Sequence, residues 1–128
     1  MQSKYFSDAE MRCKCGCGAN RMDDAFMARL DSLREMANRP LSVSSGYRCE
    51  NHPEEKKKDG STTGAHLQGK AADLLVSGQD ATRIIAYAHA LGFTGIGVKQ
   101  NGPMAGRFIH VDCASNEKNQ PRPHLWSY

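Results

Sequence analysis

His66-Leu67-Gln68-Gly69-Lys70-Ala71-Ala72-Asp73-Leu74-Leu75-Val76 is the stretch on which the reading of this chain turns. Its second half, 71–76, is a short apolar run after a glycine-containing turn, and it reads as a buried strand. Asp73 stands inside that run, where a carboxylate is costly unless it is paired or bound to a metal. His66 lies six residues upstream of the strand aspartate, counted as intervening positions. Further on, Arg107-Phe108-Ile109-His110-Val111-Asp112 reads as a second strand. Side chains alternate along a strand, so His110 and Asp112 project from one face. Two neutral imidazoles and a carboxylate are a common ligand set for an open zinc site, with the fourth position left to water. The same residues admit a plainer reading, a hydrogen-bonded core histidine and an aspartate that caps or turns.

Around this centre the periodicities are local and legible. Ser7-Asp8-Ala9-Glu10 is a capping box that opens a short helical turn. Phe26, Met27, Leu30, Leu33 and Met36 recur at helical spacing from Asp23 to Ala37, and Pro40 ends that helix. Residues 41–45 alternate apolar and small polar positions as a short strand. The stretch 51–64 reads as a loop, with Glu54-Glu55-Lys56-Lys57-Lys58 as a solvated charge run. Asp80 to Leu91 reads as an amphipathic helix with Asp80 as N-cap and Gly92 as C-cap. Residues 95–98 and 107–112 follow as two strands joined by an Asn101-Gly102-Pro103 turn. The tail from Asn119 to Tyr128 is Pro-rich, then aromatic. The expected fold is α+β, an antiparallel sheet with helices packed on one side, in a single domain spanning 1–128.

Composition narrows the function classes. The chain has 128 residues, 39% hydrophobic and 24% charged, which suits a globular protein that builds its own core. No apolar run approaches the ~18–20 residues of a membrane span. The net charge of +3 is too modest for a dedicated nucleic-acid binder, so no nucleic-acid partner is expected. The N-terminus lacks a signal-peptide pattern, so the expectation is synthesis in the cytoplasm. Five cysteines cannot all pair within one chain. Cys13, Cys15 and Cys17 alternate, and an extended segment would put their sulfurs on one side. Paired zinc cysteines usually sit two residues apart with a second pair elsewhere, a pattern missing here, so these cysteines are expected to be structural thiols. His52, His89 and His124 are expected at surface or supporting positions.

Ser45-Gly46-Tyr47-Arg48, Gly64-Ala65-His66-Leu67-Gln68-Gly69-Lys70-Ala71-Ala72-Asp73 and Phe108-Ile109-His110-Val111-Asp112, in that order, resemble the zinc D-Ala-D-Ala carboxypeptidase family. That family includes phage and bacterial L-alanyl-D-glutamate endopeptidases and shares its fold with the hedgehog signalling domain. Cys15-Gly16-Cys17-Gly18 and Leu125-Trp126-Ser127-Tyr128 resemble a short, single-domain branch of it. The resemblance implies a hedgehog/DD-peptidase-like fold and a Zn²⁺ held by His66, Asp73 and His110. It implies that Arg48 grips a substrate carboxylate or polarises the scissile carbonyl, a task suited to a permanently charged fork of donors. The plainer role for Arg48 is pairing with the Glu54-Glu55 loop.

Two positions depart from the family pattern. Gly64 stands where a serine is common, which passes any hydroxyl contact to substrate to Thr63 or Ser61. Arg107 stands where many relatives carry a catalytic acid. Asp112 is then the expected acid/base, with the inverted assignment, Asp112 on zinc and His110 as base, also open. The resemblance implies a metallopeptidase acting on the stem peptides of bacterial peptidoglycan as a D,D-carboxypeptidase or endolysin-type endopeptidase; the chain is expected to be a monomer and to reach the wall by phage-type release or export. The alternative is a non-catalytic zinc-containing cell-wall-binding module of the same fold.

Overall fold

The computed structural model describes residues 1–58 and 64–128. Among these, the elements run α1 (Asp8–Met11), α2 (Asp24–Ala37), β1 (Val43–Ser45), α3 (Pro53–Lys56), β2 (Ala71–Leu74), α4 (Gly78–Ala90), β3 (Gly95–Lys99), a 3₁₀ turn (Met104–Gly106), β4 (Phe108–Asp112) and β5 (His124–Ser127). The five strands form one sheet in the order β1-β2-β4-β3-β5.

The fold is α+β, as expected, but the sheet is mixed. The first four strands in that order pair antiparallel, while β5 runs parallel to β3. In the Pro-rich, then aromatic tail, the four residues His124–Ser127 carry no periodicity of their own. They become a strand by pairing with β3, a contact made at long sequence separation.

Alternation divides the sheet into two faces. Ala72 and Leu74 of β2, Ile96 of β3, and Ile109 and Val111 of β4 join Phe26, Met27, Leu30 and Leu33 of α2 and Ala81, Ile84 and Ala88 of α4 in one buried cluster. Phe26 meets Phe93 edge to face at 5.9 Å between centroids. The opposite face carries Asp73, His110, Asp112 and Trp126. Register aligns these residues in a row: Ser45 pairs with Asp73, Asp73 with His110, His110 with Gly97, and Gly97 with Trp126.

Local chemistry sets the helix ends. Ser7 accepts from the Glu10 N–H and completes the capping box. Asp23 caps α2 by accepting from the Phe26 N–H, and Asn38 closes it in the left-handed region. Helix α4 starts earlier than Asp80, with Ser77 at its N-cap. Asp80 sits in the first turn and pairs with Arg39 at 2.6 Å. Leu91 is the C-cap and Gly92 follows it with φ of +83°. The Phe93 N–H donates to Ala88 O and the Gly92 N–H to His89 O, the paired bonds of a Schellman ending. Within the expected 51–64 loop, Pro53 starts the short helix α3 and His52 caps it. No helix of the described residues is long and apolar enough to cross a membrane.

Candidate metal centre

His66 sits in the turn between Gly64 and Ala71, ahead of β2. The Gln68 N–H donates to Gly64 O, the Gly69 N–H to His66 O, and the Lys70 N–H to Ala65 O, which coils this segment tightly. Gly69 takes φ of +72°, and a Cβ there would run into the Arg21 carbonyl. Only glycine meets both demands. Its own carbonyl accepts from the Asp23 N–H, which docks the histidine turn on the start of α2.

Asp73 and His110 come from paired positions of β2 and β4. The three side chains His66, Asp73 and His110 offer ligand atoms that lie within 4.8 Å of one another. His66 Nε2 is 3.5 Å from Asp73 Oδ1, and His110 Nδ1 is 3.0 Å from the same oxygen. Each imidazole is held from behind. His66 Nδ1 donates to the Gly46 carbonyl at 2.7 Å. His110 Nε2 donates to Asp112 Oδ2 at 2.7 Å. Both acceptors fix the ring and the tautomer and leave the other nitrogen to face the centre, the usual support of a metal-ligating histidine. Two imidazole nitrogens and a carboxylate oxygen are a fitting donor set for Zn²⁺.

The charges fit this arrangement. Burial pushes the His66 imidazole towards its neutral form. Burial opposes ionisation of Asp73 and Asp112, yet the His110 and His66 contacts hold Asp73 well below the usual carboxylate range. His110 and Arg122 do the same for Asp112. Burial also opposes charge on His110, but its bonds to Asp112 and Asp73 win, and its affinity for a proton is raised.

Asp112 does not join the ligand cluster. It is fully buried, and both oxygens are engaged. Oδ1 accepts from the Ala114 N–H at 3.1 Å and from Arg122 Nε at 3.0 Å; Oδ2 accepts from Arg122 Nη2 and His110 Nε2, each at 2.7 Å. It therefore stands behind His110, away from His66 and Asp73. The acid/base role expected for Asp112, and the inverted role as ligand, both called for a carboxylate beside the His66–Asp73 cluster; the structure places Asp112 on the Nε2 side of His110, bonded to Arg122 and the Ala114 amide.

Arg48 reaches the centre from the opposite side. Its Nε donates to Ser45 Oγ at 3.0 Å and its Nη2 to Asp73 Oδ2 at 3.2 Å, while Nη1 lies 3.6 Å from Glu55 Oε2. Glu55 is buried and also pairs with Lys58 at 2.9 Å, so part of the charge run is a support for Arg48 instead of a solvated face. The plainer reading of Arg48, pairing with the Glu54-Glu55 loop, is met through Glu55. Arg107, by contrast, donates to Gly102 O, outside this cluster. Thr63 and Ser61 lie outside the described residues.

The sequence reading missed Arg122 and Trp126. Arg122 lies over the Trp126 ring at 5.0 Å, and that ring lies 5.1 Å from His110. A Cβ on Gly95 would land on the Asp112 carboxylate, and one on Gly97 would meet the Trp126 ring. The Gly-x-Gly spacing in β3 was the available clue: two bare positions on one strand face leave room for large groups from neighbours. A cleft of about 880 Å³ opens over the centre. Its walls include Lys14, His52, Glu54, Phe108, His124 and Tyr128. His89, on α4, is exposed and does not line this cleft.

Residues 4–112 match the family described as Peptidase M15, and the chain belongs to that family. The resemblance carried by the three motif blocks is thereby shown, and the protein is a hydrolase of the metallopeptidase class. Comparison with curated proteins gives no match.

Proposed function

We propose that this peptidase uses one Zn²⁺, held by His66 Nε2, Asp73 Oδ1 and His110 Nδ1, to hydrolyse peptide bonds in peptidoglycan stem peptides. The observation that carries this reading is the pair of histidines whose outer N–H groups are committed to Gly46 O and Asp112, leaving their inner nitrogens facing one carboxylate. Bound zinc would supply Lewis acidity, which lowers the pKa of a water and polarises a peptide carbonyl.

The protein's own groups do the rest. Asp112 and Arg122 hold the His110 ring. Arg48, fixed by Ser45 and Glu55, presents its guanidinium at the cleft, where it can bind a substrate carboxylate or the oxygen that gains charge during attack. Lys14, Arg48, Lys58, Lys99 and Arg122 line the cleft against Glu54 and Asp73, a positive excess. Stem peptides carry free carboxylates, and this balance supports them as substrate. With Asp112 committed behind His110, the imidazoles and side-chain carboxylates on the described walls that stand outside buried ion pairs are His52, Glu54 and His124.

Incubation of the zinc-loaded protein with purified peptidoglycan, followed by mass spectrometry of the soluble fragments, tests the proposal. New stem-peptide termini are expected, absent with chelator and absent with His66→Ala. Stoichiometric zinc without any cleavage would instead mark a non-catalytic binding module.

A further inference from the structure

A second convergence of metal-ligating side chains lies in the described residues, apart from the histidine centre. The Sγ atoms of Cys13, Cys15, Cys17 and Cys49 all lie within 4.8 Å of one another. Cys49 stands 3.6 Å from Cys13, 3.5 Å from Cys15 and 3.7 Å from Cys17. All four are free thiols. Four thiolates around a zinc at a Zn–S distance of ~2.3 Å must lie ~3.8 Å apart, the edge of the tetrahedron. Three contacts from one sulfur approach three such edges.

Other causes of the clustering are weaker. Cys15 and Cys17 are exposed, so apolar burial does not draw them in. Thiols are weak donors and acceptors, and a thiol-only network offers little to hold three loop residues on one partner. The backbone is built for convergence. The Cys13 N–H donates to Ala19 O at 2.7 Å and closes the loop, and Gly16 and Gly18 turn it through φ of +103° and +72°. Backbone amides also point at the sulfurs: the Cys49 N–H at Cys13 Sγ and the Ala19 N–H at Cys17 Sγ, each at 3.4 Å. Amide donors of this kind support thiolate ligands.

We propose that Cys13, Cys15, Cys17 and Cys49 form a structural Zn²⁺ site, separate from the catalytic centre. Binding replaces four S–H protons by one Zn²⁺, releasing those protons and leaving a tetrathiolate complex of net charge −2. The site ties the N-terminal loop to the segment carrying Arg48, whose N–H donates to His66 O. Cys49 follows Arg48 directly, and Lys14, between two of the ligands, lines the cleft. The expectation of structural thiols rested on the missing second cysteine pair. The fourth ligand is instead a single cysteine brought in by the fold.

The test uses the intact chain, reconstituted with Zn²⁺ and desalted, with metal content measured by mass spectrometry. Two zinc ions per chain are expected, one for each ligand set. Titration with a mercurial should release one zinc to a chromogenic chelator as the clustered thiols react. The Co²⁺-substituted protein should show an intense thiolate-to-cobalt charge-transfer band. His66→Ala should keep that band and lose one metal equivalent. Cys15→Ser combined with Cys17→Ser, both at exposed positions, should lose the band and keep the other equivalent. A single zinc that ignores the mercurial and disappears in His66→Ala would overturn the proposal, as would a cobalt protein without the band. The catalytic reading fails separately, through loss of metal at the histidine set or absence of cleavage.

Discussion

Asp112 is fully buried, and His110, Arg122 and the Ala114 amide take its two oxygens. Asp112→Asn keeps an acceptor for the His110 ring but removes the negative charge that balances Arg122. Metal affinity at the histidine centre is expected to fall about 10–100-fold, the range for losing such an outer partner. Competition against a chromophoric chelator measures it. Unchanged affinity with turnover lowered by about 10²–10⁴-fold would return the acid/base role to Asp112. His110 makes a second prediction. Burial opposes its charge, yet Asp112 and Asp73 raise its pKa above that of free imidazole. A metal at Nδ1 must displace a proton that this site holds firmly. Zinc affinity should therefore weaken as pH falls through neutrality, with proton release on binding detected by calorimetry in buffers of different ionisation enthalpy. Affinity independent of pH in that range would contradict the assigned ligand atom.

At the scale of elements, the site depends on backbone that side chains must not obstruct. Gly69→Ala would strain a φ of +72° and press a methyl on the Arg21 carbonyl. A cost of at least ~1–3 kcal/mol is expected in urea unfolding, together with weaker metal binding because His66 shifts with its turn. Strand β5 and the residues before it deliver Arg122, whose guanidinium meets the fully buried Asp112 carboxylate at 2.7 Å. Arg122→Ala leaves that carboxylate without its cation. Removing one partner of a buried pair costs about 3–5 kcal/mol, and equilibrium denaturation of the metal-free variant should show a loss of that order. A loss below ~1 kcal/mol would mean that solvent screens the pair.

Across the whole molecule, the sheet separates stability from chemistry. One face is sealed by α2 and α4, and the other holds the row Ser45-Asp73-His110-Gly97-Trp126. Leu30 is fully buried on the helix side. Leu30→Ala should cost about 2–5 kcal/mol through lost transfer energy and the cavity left behind. Its zinc affinity, measured where the variant remains folded, should match the parent. Coupled loss of stability and affinity would show that the two faces do not act independently.

Short-range pattern by itself determined α1, α2, the buried strand around Asp73 and the strand around His110, because caps and apolar periodicity are written in adjacent residues. It also singled out His66, Asp73 and His110, since a carboxylate in an apolar run and a histidine in a strand stand out chemically, while Arg48 came only from the resemblance of the motif blocks to a known family. Only the tertiary structure decided which ring nitrogen of His110 meets Asp112. Only it turned the tail into a parallel strand, brought Arg122 to Asp112, buried Glu55 beside Arg48 and carried Cys49 to the cysteine loop. Each of these joins residues far apart in the chain, and strand register and loop closure are set by the assembled sheet, where no local period records them.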